Sequence, residues 1–535
     1  MTIAFLRTPQ ADSPNAYNKM EFEAASYGAR AVAYVSAGEK GTFRGLPLVP
    51  ASELSSLGVD LVVSPLPISA EDMQLLSAGE WPISRVLSHT TDRERCRAVW
   101  SEDGGEWMAT RRPGMSGTDL APRVDYARVG GPAVGHVAPA LDAAELLAIT
   151  TRVFEAFQLS RADAPSSGPY ATGRNWGAFL RASRPNFYAA VEAGDVETID
   201  RLLADCLRNE MTTGTFGSGV AYEAYNSWAA AGSAIVAGVR AQYNVWRYCV
   251  ARPDVARLAS PPVGNPFGVW VGDGIVHANT FLNDCRAQFV AELLAPIERP
   301  LVLDLGGGFG GFGHQLLSNG SNAVYIGFDL PENLIVASYF LMAAHPEKRV
   351  LLYQSRDQKL DARTLSQYDI VLMPNFMLPQ VPDCTVDLFT NFISLSEMDY
   401  ASIAEYLRQV DRVTRGFFYH ENLLDNGENY EFYPVSVFPA LSHFKTLWSA
   451  PSRWPFFSPS SPHHCHGEVL AARRDLDVTR YLGRPATSDV EAPLGYATAF
   501  LPDDQPCVYS LLQPSTFPTS VTTGSMRCST SSATT

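Results

Sequence analysis

"LVLDLGGGFGGFGHQ", residues 301–315, sets six glycines among fifteen residues, directly behind an apolar run that carries one acidic side chain. The apolar run predicts a buried strand, and "GHQLLSNG" (313–320) predicts a helix closed by a glycine. Glycines between a strand and a helix permit positive φ and let a ligand lie against bare backbone, with helix N–H groups aimed at it. The stretch therefore predicts strand, tight turn and helix around an adenosine-type cofactor.

Two registers fit the loop. Gly306, Gly308 and Gly311 match G-x-G-x-x-G, the dinucleotide fingerprint. Asp304, Gly306, Gly308 and Gly310 match D-x-G-x-G-x-G, the first motif of class I S-adenosylmethionine (SAM) methyltransferases. Asp304 favours the second register, because a carboxylate attracts the amino group of SAM and repels a pyrophosphate. Asp329, ending the next strand in "YIGFDLPENL", is placed to accept ribose hydroxyls from either cofactor. None of the five lysines follows a tyrosine by four residues, so the Tyr-x-x-x-Lys pair of sugar dehydrogenases and epimerases is missing.

Outward from the loop, residues 291–475 alternate strand and helix, with "AVYIGFD", "VLLYQ", "YDIVLM", "VDLFTN", "GFFYHEN" and "HGEVLAAR" as further strands. "LDLGGGFGGFG", "GFDLPENL", "VDLFTNFISLSEMD" and "FFYHENLL" together resemble the sugar O-methyltransferase family, and "VGNP" (263–266) adds to the likeness. The resemblance covers roughly residues 260–475. It implies a Rossmann-like class I methyltransferase domain that uses SAM, with Gly306, Gly307, Gly308 and Gly310 under the cofactor and Asp329–Leu330 ending the second strand. It also matches Asn391, Ser394, Glu397 and Met398 to the motif after the fourth strand. One departure stands out: "VLLYQ" and "YDIVLMPNF" are two strand candidates where the core fold needs one. Asn375 and Phe376, just after the second of them, are candidates for the adenine pocket.

An acceptor hydroxyl must lose its proton, so a base is expected at the carboxyl ends of the strands. Glu397 lies in "NFISLSEM", and His420 and Glu421 lie in "YHENLLD". The expected activity is O-methylation of a sugar-containing or secondary metabolite, a small-molecule acceptor. A nicotinamide-dependent sugar oxidoreductase or epimerase, an N- or C-methyltransferase and a non-catalytic scaffold of the same fold remain open alternatives.

Upstream, residues 1 to about 90 read as a small Rossmann-like α/β unit, with strands in "TIAFLR", "ARAVAYVS" and "VDLVVSPLP" and a helix over 16–28. Residues 91–290 read as a mainly helical region that shapes the acceptor pocket, with "RVDYARVGGPAVGHVAPA" (123–140) as loop. Within it, Phe267, Trp270, Asp273, His277 and Asn279 mix flat rings with polar edges. Residues 476–535 read as an extension ending in a disordered Ser/Thr-rich tail.

The chain of 535 residues is 46% hydrophobic and 18% charged, with a net charge of −15. That charge disfavours nucleic acid and anionic membrane surfaces as partners. No apolar run reaches the ~18 residues of a membrane span. The eight cysteines form no C-x-x-C pair, which fits reduced thiols in a cytoplasmic protein. His463, His464, Cys465 and His466 cluster without further ligands at a metal-site spacing, so no metal is expected. A homodimer is compatible with the sequence.

Overall fold

The computed structural model describes residues 2–7, 20, 30–37, 41–43, 46–65, 68–88, 129–133, 135–215, 239, 243, 246, 250, 254–425, 433–451, 465–482, 497–500 and 506–509. Apart from single positions, the helix expected over 16–28 and the helical stretch over 222–250 lie outside the described residues. So do His463, His464 and the Ser/Thr-rich tail.

Near the N-terminus, six strands form one sheet: β1 (Thr2–Leu6), β2 (Arg30–Val35), β3 (Gly41–Phe43), β4 (Leu46–Val49), β5 (Leu61–Ser64) and β6 (Val86–Ser88). The order is β3-β4-β2-β1-β5-β6, parallel except for β3 against β4. Helix α1 (Ala70–Ala78) starts at Ser69, which exchanges side-chain and backbone hydrogen bonds with Asp72. Leu6, Val35, Leu54, Leu76 and Trp81 fill a core belonging to this unit.

The next layer contains α2 (Ala143–Asp163), α3 (Arg174–Ser183), α4 (Pro185–Ala193), α5 (Val196–Ala204) and α6 (Ala278–Leu293). It also holds a three-stranded sheet of β7 (Val129–Ala133), β8 (Gly268–Val271) and β9 (Gly274–Val276). The expectation of loop over 123–140 is therefore corrected at 129–133. Gly272 (φ 61°) opens the two-residue turn between β8 and β9, and β7 pairs with β8 across more than a hundred residues. Local pattern alone does not signal such a pairing.

The largest sheet holds β10 (Leu301–Leu305), β11 (Val324–Asp329), β12 (Val350–Leu352), β13 (Ile370–Pro374), β14 (Val386–Phe392), β15 (Thr414–Asp425), β16 (Phe444–Pro451), β17 (Cys465–Arg473), β18 (Ala497–Phe500) and β19 (Pro506–Tyr509). The order is β12-β13-β11-β10-β14-β15-β17-β16-β18-β19. The first six run parallel, and β17 enters antiparallel beside β15. Both strand candidates of the departure noted above exist. β13 takes the place next to β11, and β12 moves out to the edge.

Helices α7 (Gly311–Ser318), α8 (Pro331–Ala344), α9 (Ala362–Leu365), α10 (Tyr400–Val413) and α11 (Thr479–Leu482) complete the set. The central strands are buried on both faces, as a parallel sheet covered by helices requires. Helix α8 is apolar on every side because it lies between the sheet and α2. One apolar core runs through this packing without a break, joining Phe187, Trp246 and Phe281 of the helical layer to Phe312, Tyr339 and Tyr419. Leu303, Phe328, Met373, Phe389 and Ile403 fill the opposite face of the sheet.

Candidate functional site

β11 lies on one side of β10 and β14 on the other, so the connections after these strands diverge. Ligands of open α/β sheets bind at such a reversal, beyond the carboxyl ends of the strands. The glycine loop stands there. Gly306 (φ 73°) and Gly308 (φ 59°) adopt left-handed backbone that an L side chain resists. They also lack space: a Cβ on Gly306 would stand 2.2 Å from Ser394 Oγ, and one on Gly308 would stand 2.4 Å from the Thr215 carbonyl oxygen. Helix α7 follows, with Gly310 at its N-cap and no side chain capping it.

Asp304 lies beneath this loop and is fully buried. Its carboxylate accepts from the Tyr325 hydroxyl at 2.9 Å and from Thr390 Oγ1 at 2.9 Å. A Cβ on Gly307 would stand 2.6 Å from Asp304 Oδ2. Both oxygens of this carboxylate thus take hydroxyls from within the protein, and the side chain braces the turn. Burial pushes its pKa up to about 6, against the pull of the two hydroxyls.

Asp329 ends β11 beside the loop. It accepts from Gly308 N at 3.0 Å, from Leu330 N at 2.7 Å and from Asn333 Nδ2 at 3.1 Å. Burial raises its pKa to about 6. Three donors leave one of the roughly four acceptor positions of a carboxylate open. Asn375 follows β13, whose Pro374 pairs with Asp329. Its amide donates to the Tyr170 carbonyl at 3.0 Å and to the Tyr406 hydroxyl at 2.9 Å. Phe376 packs edge-on against Tyr353.

Asn391, at the end of β14, is the junction of a network. Its amide donates to the Leu305 carbonyl at 2.9 Å and to Ser394 Oγ at 2.7 Å, and its oxygen accepts from Leu395 N and Asn422 Nδ2. Asn422 in turn accepts from Ser396 N at 3.1 Å. The network holds the 3-10 turn Ser394–Glu397 against the glycine loop. Ile393 enters that turn at φ 76°, an uncommon conformation for a β-branched residue, and its N–H donates to the Glu421 carbonyl at 2.6 Å.

The three candidate bases occupy different environments. His420 and Glu421 are neighbours on β15 and so point to opposite faces of the sheet. His420 stacks on Phe418, with ring centroids 4.6 Å apart, and burial lowers its pKa to about 3. Glu421 is fully buried and ion-paired to Arg286, whose guanidinium also lies 4.2 Å from the centre of the Phe392 ring. Glu397 differs from both. Its carboxyl is half-buried, has no hydrogen-bond or ion-pair partner among the described residues, and is pushed up to about 7 by burial.

The helical layer covers this edge. The Thr215 carbonyl accepts from Phe309 N at 3.2 Å, and Pro169 and Tyr170 meet α10 and Asn375. Behind the loop, a cavity is lined by Phe267, His277, Phe309, His314, Gln315 and Phe340. Phe267 and His277 of the aromatic segment therefore join, whereas Trp270 is exposed. No group of residues able to hold a metal occurs among the described residues, and no described helix is long and apolar enough to cross a membrane.

Sequence reading missed Tyr325, Thr390, Asn333, Asn422, Arg286 and Arg184. Tyr325, Thr390, Asn333 and Asn422 sat inside quoted motifs without being singled out, whereas Arg286 and Arg184 reach the site only through contacts distant in sequence.

No family model and no curated protein matches the chain. Among solved structures, a geranyl diphosphate methyltransferase in complex with SAM is similar at 11% identity, covering 36% of this chain and 85% of that one, with a TM-score of 0.26. The [4+2]-cyclase SpnF is similar at 14% identity, covering 36% and 80%, with a TM-score of 0.26. A SAM-dependent methyltransferase from Aquifex aeolicus is similar at 17% identity, covering 32% and 82%, with a TM-score of 0.20. The sheet itself carries the classification: parallel strands reversed in order about β10, with the last core strand inserted antiparallel beside β15, form a Rossmann-like domain of the class I methyltransferase type.

Proposed function

We propose that the chain is a SAM-dependent methyltransferase that transfers a methyl group to a hydroxyl of a sugar-containing or related secondary metabolite. The observation that carries this reading is Glu397, a carboxyl without a hydrogen-bond or ion-pair partner among the described residues, on the turn that packs against the D-x-G-x-G-x-G loop. A general base works best when its pKa lies near the operating pH.

The residues fit the cofactor. Gly306 and Gly308 give the loop the left-handed backbone of a tight strand-to-helix turn, and Asp329 keeps an acceptor position for a ribose hydroxyl. Leu330, Asn375 and Phe376 border the same edge for the adenine, while Asn391 fixes the turn that carries Glu397. SAM, when bound, supplies an electrophilic methyl on a sulfonium. Glu397 would accept the proton of an acceptor hydroxyl, leaving its oxygen nucleophilic. Tyr400 and Tyr433, with ring centroids 6.0 Å apart, stand beside the Glu397 turn and suit a flat ring or a sugar face. Tyr433 is tied to that turn by its N–H to the Ser396 carbonyl at 2.9 Å.

The test is transfer of isotopically labelled methyl from SAM to a panel of sugars, glycosides and phenols. Label in a hydroxylated acceptor is the expected result. Label only in amines or carbon acids would overturn the O-methyl assignment.

A further inference from the structure

Arg184, between α3 and α4, is fully buried, yet none of its hydrogen bonds goes to a carboxylate. Its Nε donates to the Thr213 carbonyl at 3.1 Å, and Nη2 donates to the same oxygen. Nη1 donates to the Glu332 carbonyl at 2.6 Å, and Nη2 donates to Asn333 Oδ1 at 3.0 Å. Burying a cation against neutral oxygens is costly, so the arrangement calls for a reason beyond packing.

The partners supply that reason. Asn333 receives the guanidinium on its oxygen and turns its amide nitrogen to Asp329 Oδ1 at 3.1 Å. Asp329 Oδ2 accepts from Gly308 N at 3.0 Å. By a second route, Thr213 leads two residues on to Thr215, whose carbonyl accepts from Phe309 N. One guanidinium therefore reaches the same glycine loop, residues 306–310, from both sides. The planar fork of arginine can serve both carbonyls and the amide at once, which a lysine ammonium cannot. Without it, the Asn333 oxygen loses its donor, and the amide that meets Asp329 is held from one side only.

We propose that Arg184 is a positioning residue for ribose recognition, fixing Asp329 through Asn333. This rests on the reading that Asp329 and the loop hold an adenosine cofactor.

The experiment is calorimetry on the full chain with S-adenosylhomocysteine and with its 2′,3′-dideoxyribosyl analogue. Arg184→Met should weaken the parent ligand roughly tenfold or more, the scale of one lost hydrogen bond to a charged group. It should leave the dideoxy analogue, which has no hydroxyls for Asp329, within about twofold of wild type. Asn333→Ala keeps Arg184 on Thr213 and Glu332, and should show the same ribose-dependent loss even if Arg184→Met does not fold. Equal weakening of both ligands would mark a purely structural role and overturn the inference. So would unchanged binding of the parent ligand in a folded Arg184→Met or Asn333→Ala variant. Wild type that binds neither ligand would instead defeat the cofactor reading, and this inference with it.

Discussion

Glu397, His420 and Glu421 are all acid–base side chains at one sheet edge, and their surroundings separate them. Arg286 neutralises Glu421, and burial keeps the His420 ring neutral at physiological pH. Burial raises Glu397 from 4.5 to about 7, so its basic form accumulates as pH rises through neutrality. Turnover should climb between about pH 6 and 8, and Glu397→Gln should lower it by roughly 10²–10⁴-fold and flatten that rise. A variant with unaltered turnover and pH profile would remove Glu397 from the mechanism. Linkage gives a second readout. From pH 4.5 to about 7 the folded chain holds this proton more tightly than the unfolded chain does, so the group subtracts stability as pH rises through that window. Glu397→Gln should therefore melt higher than wild type at pH 7.5, with the gap closing at pH 4.5. Glu397 was legible because a local motif carries it. Its distinction from His420 was not, since burial and pairing are set by Phe418, Arg286 and other residues far along the chain.

At the scale of elements, the glycine loop and the segment over it form one closed contact. The obstacle to a side chain at Gly308 is the Thr215 backbone, which cannot swing aside as a flexible side chain would. Gly308→Ala should cost about 1–3 kcal/mol, combining left-handed strain with this collision. It should also raise hydrogen exchange at 212–215. Exchange and melting temperature equal to wild type would show that the segment does not rest there. The strand–loop–helix unit was readable because both its glycines and its apolar run are local signals. The neighbouring β12 and β13 were visible as strands, but their order in the sheet was not. Periodicity names a strand without naming its neighbour. β16 escaped altogether, because only Phe444 and Leu447 among its first residues are buried and its alternation is weak.

Across the whole molecule, the core does not divide where composition shifts near residue 290. Phe281 and Val290 share one cluster with Phe312 and Tyr339, whereas the N-terminal sheet packs around residues of its own. A fragment of residues 291–475 would expose the faces that α2, α4 and α6 cover, at about 25 cal/mol for each Å² of apolar surface. It should fail to give a cooperative melt, while removal of residues 1–88 should leave cofactor affinity near that of the full chain. A soluble, cooperatively melting 291–475 fragment would contradict the shared core. Two-layer organisation was readable from helical spacing, but continuity of packing across the layers was not, because it depends on which faces meet. The central claim is that this continuous core supports a site for SAM at the glycine loop. Native mass spectrometry of the full chain, mixed in turn with SAM, S-adenosylhomocysteine, NAD and NADP, tests it most directly. One SAM or S-adenosylhomocysteine per chain is expected, weakened roughly ten- to hundredfold by Asp329→Ala. Binding of NAD or NADP in their place, or SAM binding untouched by Asp329→Ala, would contradict it.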